Sequence, residues 1–270
     1  MNLFSPAEVA RNYIGIGKGK AALPISKMIL LGILAGAFIA FGGVASTTVG
    51  VSVEAASLGK FLGACVFPGG LTMVLLSGSE LFTGNCLMTI PLLEREIKFG
   101  GMIKNWVFVY IGNFIGAMIV GAIVIFGHQA SLFSNGMAAS VISTAVTKCT
   151  MPFGDALLKG IACNFLVCIA VWIAFAAKDV VGKIVGLFFP IMLFVLCGFE
   201  HSVANMYFIP AGIMASANDA FVSLRGLDAS VLTVGNFLLR NLLPVTLGNM
   251  IGGSVFVGTS GWFAYKKQRN

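Results

Sequence analysis

The sequence predicts an all-α membrane protein: six transmembrane helices arranged as two inverted three-helix repeats, with the second and fifth helices broken. Three observations carry this expectation. Of 270 residues, 58% are apolar and only 10% charged, whereas a soluble domain carries about 25% charged residues. Four long runs contain no Asp, Glu, Lys or Arg, and two more are interrupted only by isolated polar groups. Two motif pairs recur in the same order along the chain. No stretch is polar enough to supply a second core, so one membrane domain is expected. The 34 glycines suit helices whose backbones approach closely.

Residues 1–27 are polar and of mixed charge. Ser5-Pro6-Ala7-Glu8 reads as a capping box with proline at the first helical position, which predicts a short interfacial helix ahead of the first span. Met28–Val53 is that span; it is too long for a signal peptide and lacks a small-residue cleavage site. Asn105–Thr147, Gly160–Ala177 and Asn241–Tyr265 are equally free of charge, each with the roughly 20 apolar residues a crossing needs. Phe61–Leu93 is interrupted by Glu80 and glycines, and Ile184–Asn218 by Glu200, His201 and Pro210. At about 1.5 Å per residue each would overrun the bilayer as one helix. Irregular backbone at membrane depth is tolerated only where protein buries it or it lines a cavity, so both are read as helices broken around a pathway. The membrane domain is thus placed at 28–265, with repeat one near 28–127, repeat two near 160–265 and a tail at 266–270.

The net charge of +7 would suggest nucleic acid in a soluble protein, but here the charges sit between apolar runs, and no nucleic-acid partner is expected. Arg11, Lys18, Lys20, Lys27, Arg95, Lys98, Lys104, Lys178, Lys183, Lys266, Lys267 and Arg269 fall on one side. Lys60, Lys148, Lys159, Arg225 and Arg240 fall on the other. That bias places both termini in the cytoplasm and the chain in the cell membrane. The six cysteines show no metal-ligand spacing and read as small buried hydrophobes, so no disulfide, metal or cofactor is implied.

Gly78-Ser79-Glu80 with Asn85 matches Gly198-Phe199-Glu200 with Asn205, and Gly112-Asn113-Phe114-Ile115-Gly116 matches Gly248-Asn249-Met250-Ile251-Gly252. Together they indicate duplication. Three spans per half invert the second copy, so the two breaks meet near the bilayer midplane, where transporters place their site.

His201 is one of two histidines and stands at membrane depth, where an ionisable group is a functional candidate rather than a packing residue. His128 falls near a loop. Glu80 and Glu200 are expected to stabilise the breaks by satisfying freed backbone donors. Asn85, Asn205, Asn113 and Asn249 suit the same task or bonding between helices. Thr83 either caps the following half-helix or offers a hydroxyl opposite His201. Lys148 either snorkels from an interfacial helix or draws anions to a mouth. Phe67, Leu71, Leu81, Phe82 and Phe194 flank the breaks, and composition alone does not separate gates from packing.

On Glu80-Leu81-Phe82-Thr83, Gly198-Phe199-Glu200-His201-Ser202-Val203-Ala204-Asn205-Met206, Pro210 and Pro244-Val245-Thr246-Leu247-Gly248-Asn249, the whole chain resembles the formate/nitrite transporter family, whose members carry formate, nitrite or hydrosulfide. The resemblance implies an aquaporin-like protomer, a homopentamer in the lipid bilayer, and one pathway for a small anion substrate through each protomer. It further implies that His201 is the central pore histidine and Thr83 the threonine of the first break. Phe67, Leu71, Leu81, Phe82 and Phe194 match constriction positions, and Lys148 and Asn164 match residues that make the outer vestibule attractive to anions. Taken whole, the chain looks closest to the hydrosulfide-channel branch, although no single residue excludes formate or nitrite.

Two other classes compete. A neutral-solute channel would share the inverted repeat, but the paired Asn-Pro-Ala motifs of aquaporins are missing. Gly258-Thr259-Ser260-Gly261 has the form used by intramembrane serine proteases, yet no histidine follows Ser260 to serve as its base.

Overall fold

The computed structural model describes residues 2–265 apart from Arg225 and Leu227. Arg225 and the tail 266–270, with the Lys266, Lys267 and Arg269 used for orientation, lie outside the described residues. The helices are α1 (Pro6–Ala22), α2 (Ile25–Gly50), α3 (Ala56–Val66), α4 (Pro68–Ser77), α5 (Phe82–Asn85), α6 (Thr89–Leu93), α7 (Phe99–Phe126), α8 (Gly136–Cys149) and α9 (Phe153–Ala176). They continue as α10 (Val180–Leu196), α11 (Ser202–Ser216), α12 (Asp219–Ser223), α13 (Leu243–Met250) and α14 (Ser260–Tyr265). Widened π-helical turns at Asn236–Leu242 and Ile251–Thr259 join α13 and α14 into the last span. Among the described residues five stretches are long and apolar enough to cross a membrane, and the fifth crossing is made by the shorter α10 followed by α11.

α1 begins at the capping box: Ser5 accepts from the Glu8 N–H, and Glu8 accepts from the Ser5 N–H at 2.7 Å. α4 and α10 stop at Gly78 (φ 72°) and Gly198 (φ 70°), left-handed positions that favour glycine. This explains why a glycine stands two residues ahead of each glutamate. The glycines of the other repeated motif serve close helix crossing. A Cβ at Gly112 or Gly116 would strike the carbonyl of Ile29 or Ile33 on α2, and one at Gly248 or Gly252 that of Leu157 or Ile161 on α9. α2 therefore lies directly on α7, and α9 on the last span.

The charge-free run 105–147 is two helices rather than one span. α7 ends at Phe126, and His128, Phe133, Ser134 and Asn135 all adopt positive φ before α8 starts. α8 packs along α11 at the end of the bundle away from the described termini. At the other end, α1 lies against α6, α7, α9 and α14, and a single antiparallel bridge ties Leu3 to Ala177.

Candidate functional site

The two breaks, residues 78–81 and 197–201, are held by the same set of bonds. Glu80 accepts from Lys20 Nζ at 2.6 Å and from Asn85 Nδ2 at 2.7 Å, and Asn85 also donates to Asn105 at 2.7 Å. Glu200 accepts from Lys148 Nζ at 2.8 and 2.9 Å and from Asn205 Nδ2 at 2.7 Å, and Asn205 also donates to Asn241 at 2.7 Å. The pairs are nearly dry, the Lys148 and Glu200 side chains being 13% and 5% exposed. The sequence offered the freed backbone groups to the carboxylates and to the asparagines alike, and the structure gives them to two of the asparagines. Asn113 accepts from the Phe82 N–H and donates to the carbonyls of Gly32 and Glu80. Asn249 accepts from the Ser202 N–H and donates to those of Gly160 and Glu200. The amide has both a donor and an acceptor face, which a carboxylate lacks.

Between the breaks lies one polar contact: Thr83 Oγ1 and His201 Nε2 are 2.9 Å apart. His201 Nδ1 accepts from the Ala204 N–H at 3.1 Å, capping α11. With Nδ1 held as acceptor, the neutral ring carries its proton on Nε2, which donates to Thr83. Among the described residues the Thr83 side chain caps no helix and pairs with His201 alone.

The expected gate residues separate into groups. Phe67 and Phe194 meet edge to face at 5.5 Å, Phe194 stacks on His201 at 5.8 Å, and all three border a cavity of about 560 Å³ open at the α8 end. Leu71 and Leu81 border a much smaller cavity of about 30 Å³ on the α1 side, closed by Tyr13 and Phe175. Phe82 packs against Trp106 and Tyr110 and lines a separate apolar groove. Asn164 is not at the vestibule. It is fully buried on α9 and donates to the carbonyls of Thr83 and Asn249, because its side chain is needed where α5 and α13 meet. Lys148 does line the wide cavity, but with its charge engaged by Glu200.

Sequence reasoning missed Tyr13, whose ring packs edge-on to Phe175 and whose hydroxyl faces the Gly84 carbonyl at 3.4 Å. It also missed Asn105 and Asn241, although each precedes its motif asparagine by the same spacing. Outside the spans, the hydrogen bond and charge of Lys18 hold the Glu96 carboxyl below its ordinary value. Ser260 donates to the Val255 carbonyl in the same span while His201 is engaged with Thr83, so the two do not form a nucleophile–base pair.

An all-helical bundle with paired helix breaks and a polar contact between two cavities is the architecture of a multi-pass membrane channel or transporter. The family described as "Formate/nitrite transporter" matches residues 7–263. A probable formate transporter of Methanothermobacter thermautotrophicus is 39% identical over 98% of both chains. An uncharacterized transporter, YrhG, of Bacillus subtilis is 42% identical over 97% of this chain and 94% of its own length. A solved pentameric formate channel with formate bound is 33% identical, covers 90% of this chain and 98% of its own, and superposes with a TM-score of 0.81. The chain belongs to the formate/nitrite transporter family.

Proposed function

We propose that the chain conducts a small monovalent weak-acid anion through each protomer of a homopentamer in the cell membrane, with both termini in the cytoplasm. Formate, for which several relatives and the solved pentamer are named, replaces hydrosulfide as the first candidate; nitrite and hydrosulfide are its competitors. The observation that carries the reading is the Thr83–His201 contact, which joins the two helix breaks at 2.9 Å.

Removing an anion from water costs several kcal/mol unless hydrogen bonds replace its hydration. The anion enters the wide cavity and sheds water between Phe67 and Phe194. There the Thr83 hydroxyl, which accepts from His201, has its own proton to offer. The Nε2–H of His201 supplies a second donor when the anion displaces Thr83. Charge shared with this pair lets the weak acid pass Leu71 and Leu81, whose apolar side chains exclude the hydrated ion. The buried ion pairs hold the breaks and leave the Thr83–His201 contact without a fixed countercharge that would trap the ion.

The test is flux into proteoliposomes of formate, nitrite, hydrosulfide and chloride, compared side by side with glycerol swelling. Formate or another weak-acid anion should pass and chloride should not. Glycerol permeation without anion flux would replace this reading with that of a neutral-solute channel.

A further inference from the structure

The charged residues on the wall of the wide cavity are three lysines, Lys60, Lys148 and Lys159, and one carboxylate, Glu200. Lys148 and Glu200 cancel each other: two hydrogen bonds of 2.8 and 2.9 Å join them in a nearly dry site. Among the described residues neither Lys60 nor Lys159 forms an ion pair. Asp155, one helical turn before Lys159, and Glu54, near the start of α3, are not on the cavity wall.

Both free lysines reach the edge of the second break. Lys60 projects from α3 until its Nζ stands 3.0 Å from where a Cβ of Gly198 would lie, so the glycine that ends α10 also leaves room for this ammonium. Lys159 gives its carbonyl to the Glu200 N–H at 3.3 Å, which anchors its own backbone beside the break. α8 turns Ser140, Ser143 and Thr144 toward the same cavity. Hydroxyls there add donors for an anion without adding a competing charge.

We propose that Lys60 and Lys159, and not Lys148, supply the positive field that concentrates the permeating anion in this vestibule. Lys148 is a positioning residue that holds Glu200 and the break. The inference rests on the reading of the chain as an anion pathway and names the residues that set its entry rate. Charges lining a cleft with low-dielectric walls raise the local concentration of a counter-ion, and salt screens that field.

The experiment uses the full-length protein in vesicles of neutral phosphatidylcholine, with initial formate uptake measured at about 0.01 M and about 1 M of an impermeant salt, where the Debye length falls from about 30 to 3 Å. Wild-type uptake should fall on the order of 3- to 10-fold with salt. Lys60→Gln/Lys159→Gln should take up formate at the wild-type high-salt rate under both conditions. Lys60→Arg/Lys159→Arg should keep the wild-type rate and its salt dependence, which separates charge from packing. Wild-type salt dependence in the double Gln variant would overturn the proposal. A wild type with no anion flux at any salt would instead remove the functional reading, and this inference with it.

Discussion

Lys20 and Lys148 hold the same position in the two halves of the protein: each closes a helix with its ammonium on the glutamate of a helix break, at 2.6 Å to Glu80 and 2.8 Å to Glu200. In both cases the asparagine that bonds the neighbouring asparagine also caps the lysine's own carbonyl, Asn105 on Lys20 and Asn241 on Lys148. The two-fold relation thus reaches into α1 and α8, helices outside the repeat bounds drawn from the motifs.

A buried ion pair is costly to break by halves, because the remaining charge has no partner. Lys148→Met should destabilise the protein by about 3–5 kcal/mol, and Lys148→Met/Glu200→Gln should recover most of that loss. Thermal unfolding in lipid nanodiscs measures both. A double variant no more stable than the single would show that the pair is not the coupled unit.

Asn249 serves three backbone groups at once. Asn249→Ala leaves them unsatisfied, at a cost on the order of 3 kcal/mol or more. Asn249→Asp should be nearly as harmful, since a carboxylate keeps the acceptor and loses both donors. Comparing the thermal midpoints of the two variants checks the donor role; a stable Asp variant would refute it.

Gly116→Ala and Gly252→Ala should each lower the thermal midpoint by forcing α2 from α7 and α9 from the last span, about 1–3 kcal/mol as for overpacking elsewhere. Gly69, around which a Cβ would meet nothing within 4 Å, supplies the control: its alanine variant should unfold with the wild type.

Thr83→Val removes the hydroxyl and keeps the shape, so formate flux should fall about tenfold, the rate equivalent of about 1.4 kcal/mol of hydrogen bonding. Thr83→Ser should retain most of it. His201→Asn should fall with Thr83→Val, and their double variant should be little worse than either, because one contact is lost in all three. Additive losses in flux would mean the residues act separately.

The Ser5 backbone and hydroxyl donors hold the Glu8 carboxyl below its ordinary value. A carboxyl depressed in the folded state contributes above the unfolded value and loses its contribution as pH falls through the folded one. The start of α1 should therefore loosen only below about pH 4.3, seen as movement of the Ser5 and Glu8 amide resonances in micelles. Glu8→Gln should abolish that pH dependence.

The spans were legible because lipid leaves the backbone few options: charge-free runs must be helices, and the two long runs interrupted by glutamate at Glu80 and Glu200 had to break. The breaks themselves were legible because left-handed glycine and buried glutamate are residue-specific demands, met twice. The run 105–147 misled because no Asp, Glu, Lys or Arg falls between Lys104 in α7 and Lys148 in α8 to mark where the membrane ends; the turn between them is written in backbone dihedrals, not in composition. Asn164 misled for a related reason. A residue within a span can point toward the pathway or away from it, and neighbouring helices decide which.

The sequence by itself determined a membrane bundle, its duplication, the glycines that stop and cross its helices, and His201 as a polar group at depth. Only the tertiary structure decided that Asn113 and Asn249 hold the breaks and that Thr83 meets His201. It also decided that Glu200 takes the charge of Lys148, leaving Lys60 and Lys159 on the vestibule wall without an ion pair among the described residues. Local propensity and hydrophobic pattern act along the chain, whereas pairing of charges and hydrogen bonds depends on which helices packing brings within about 3 Å of one another.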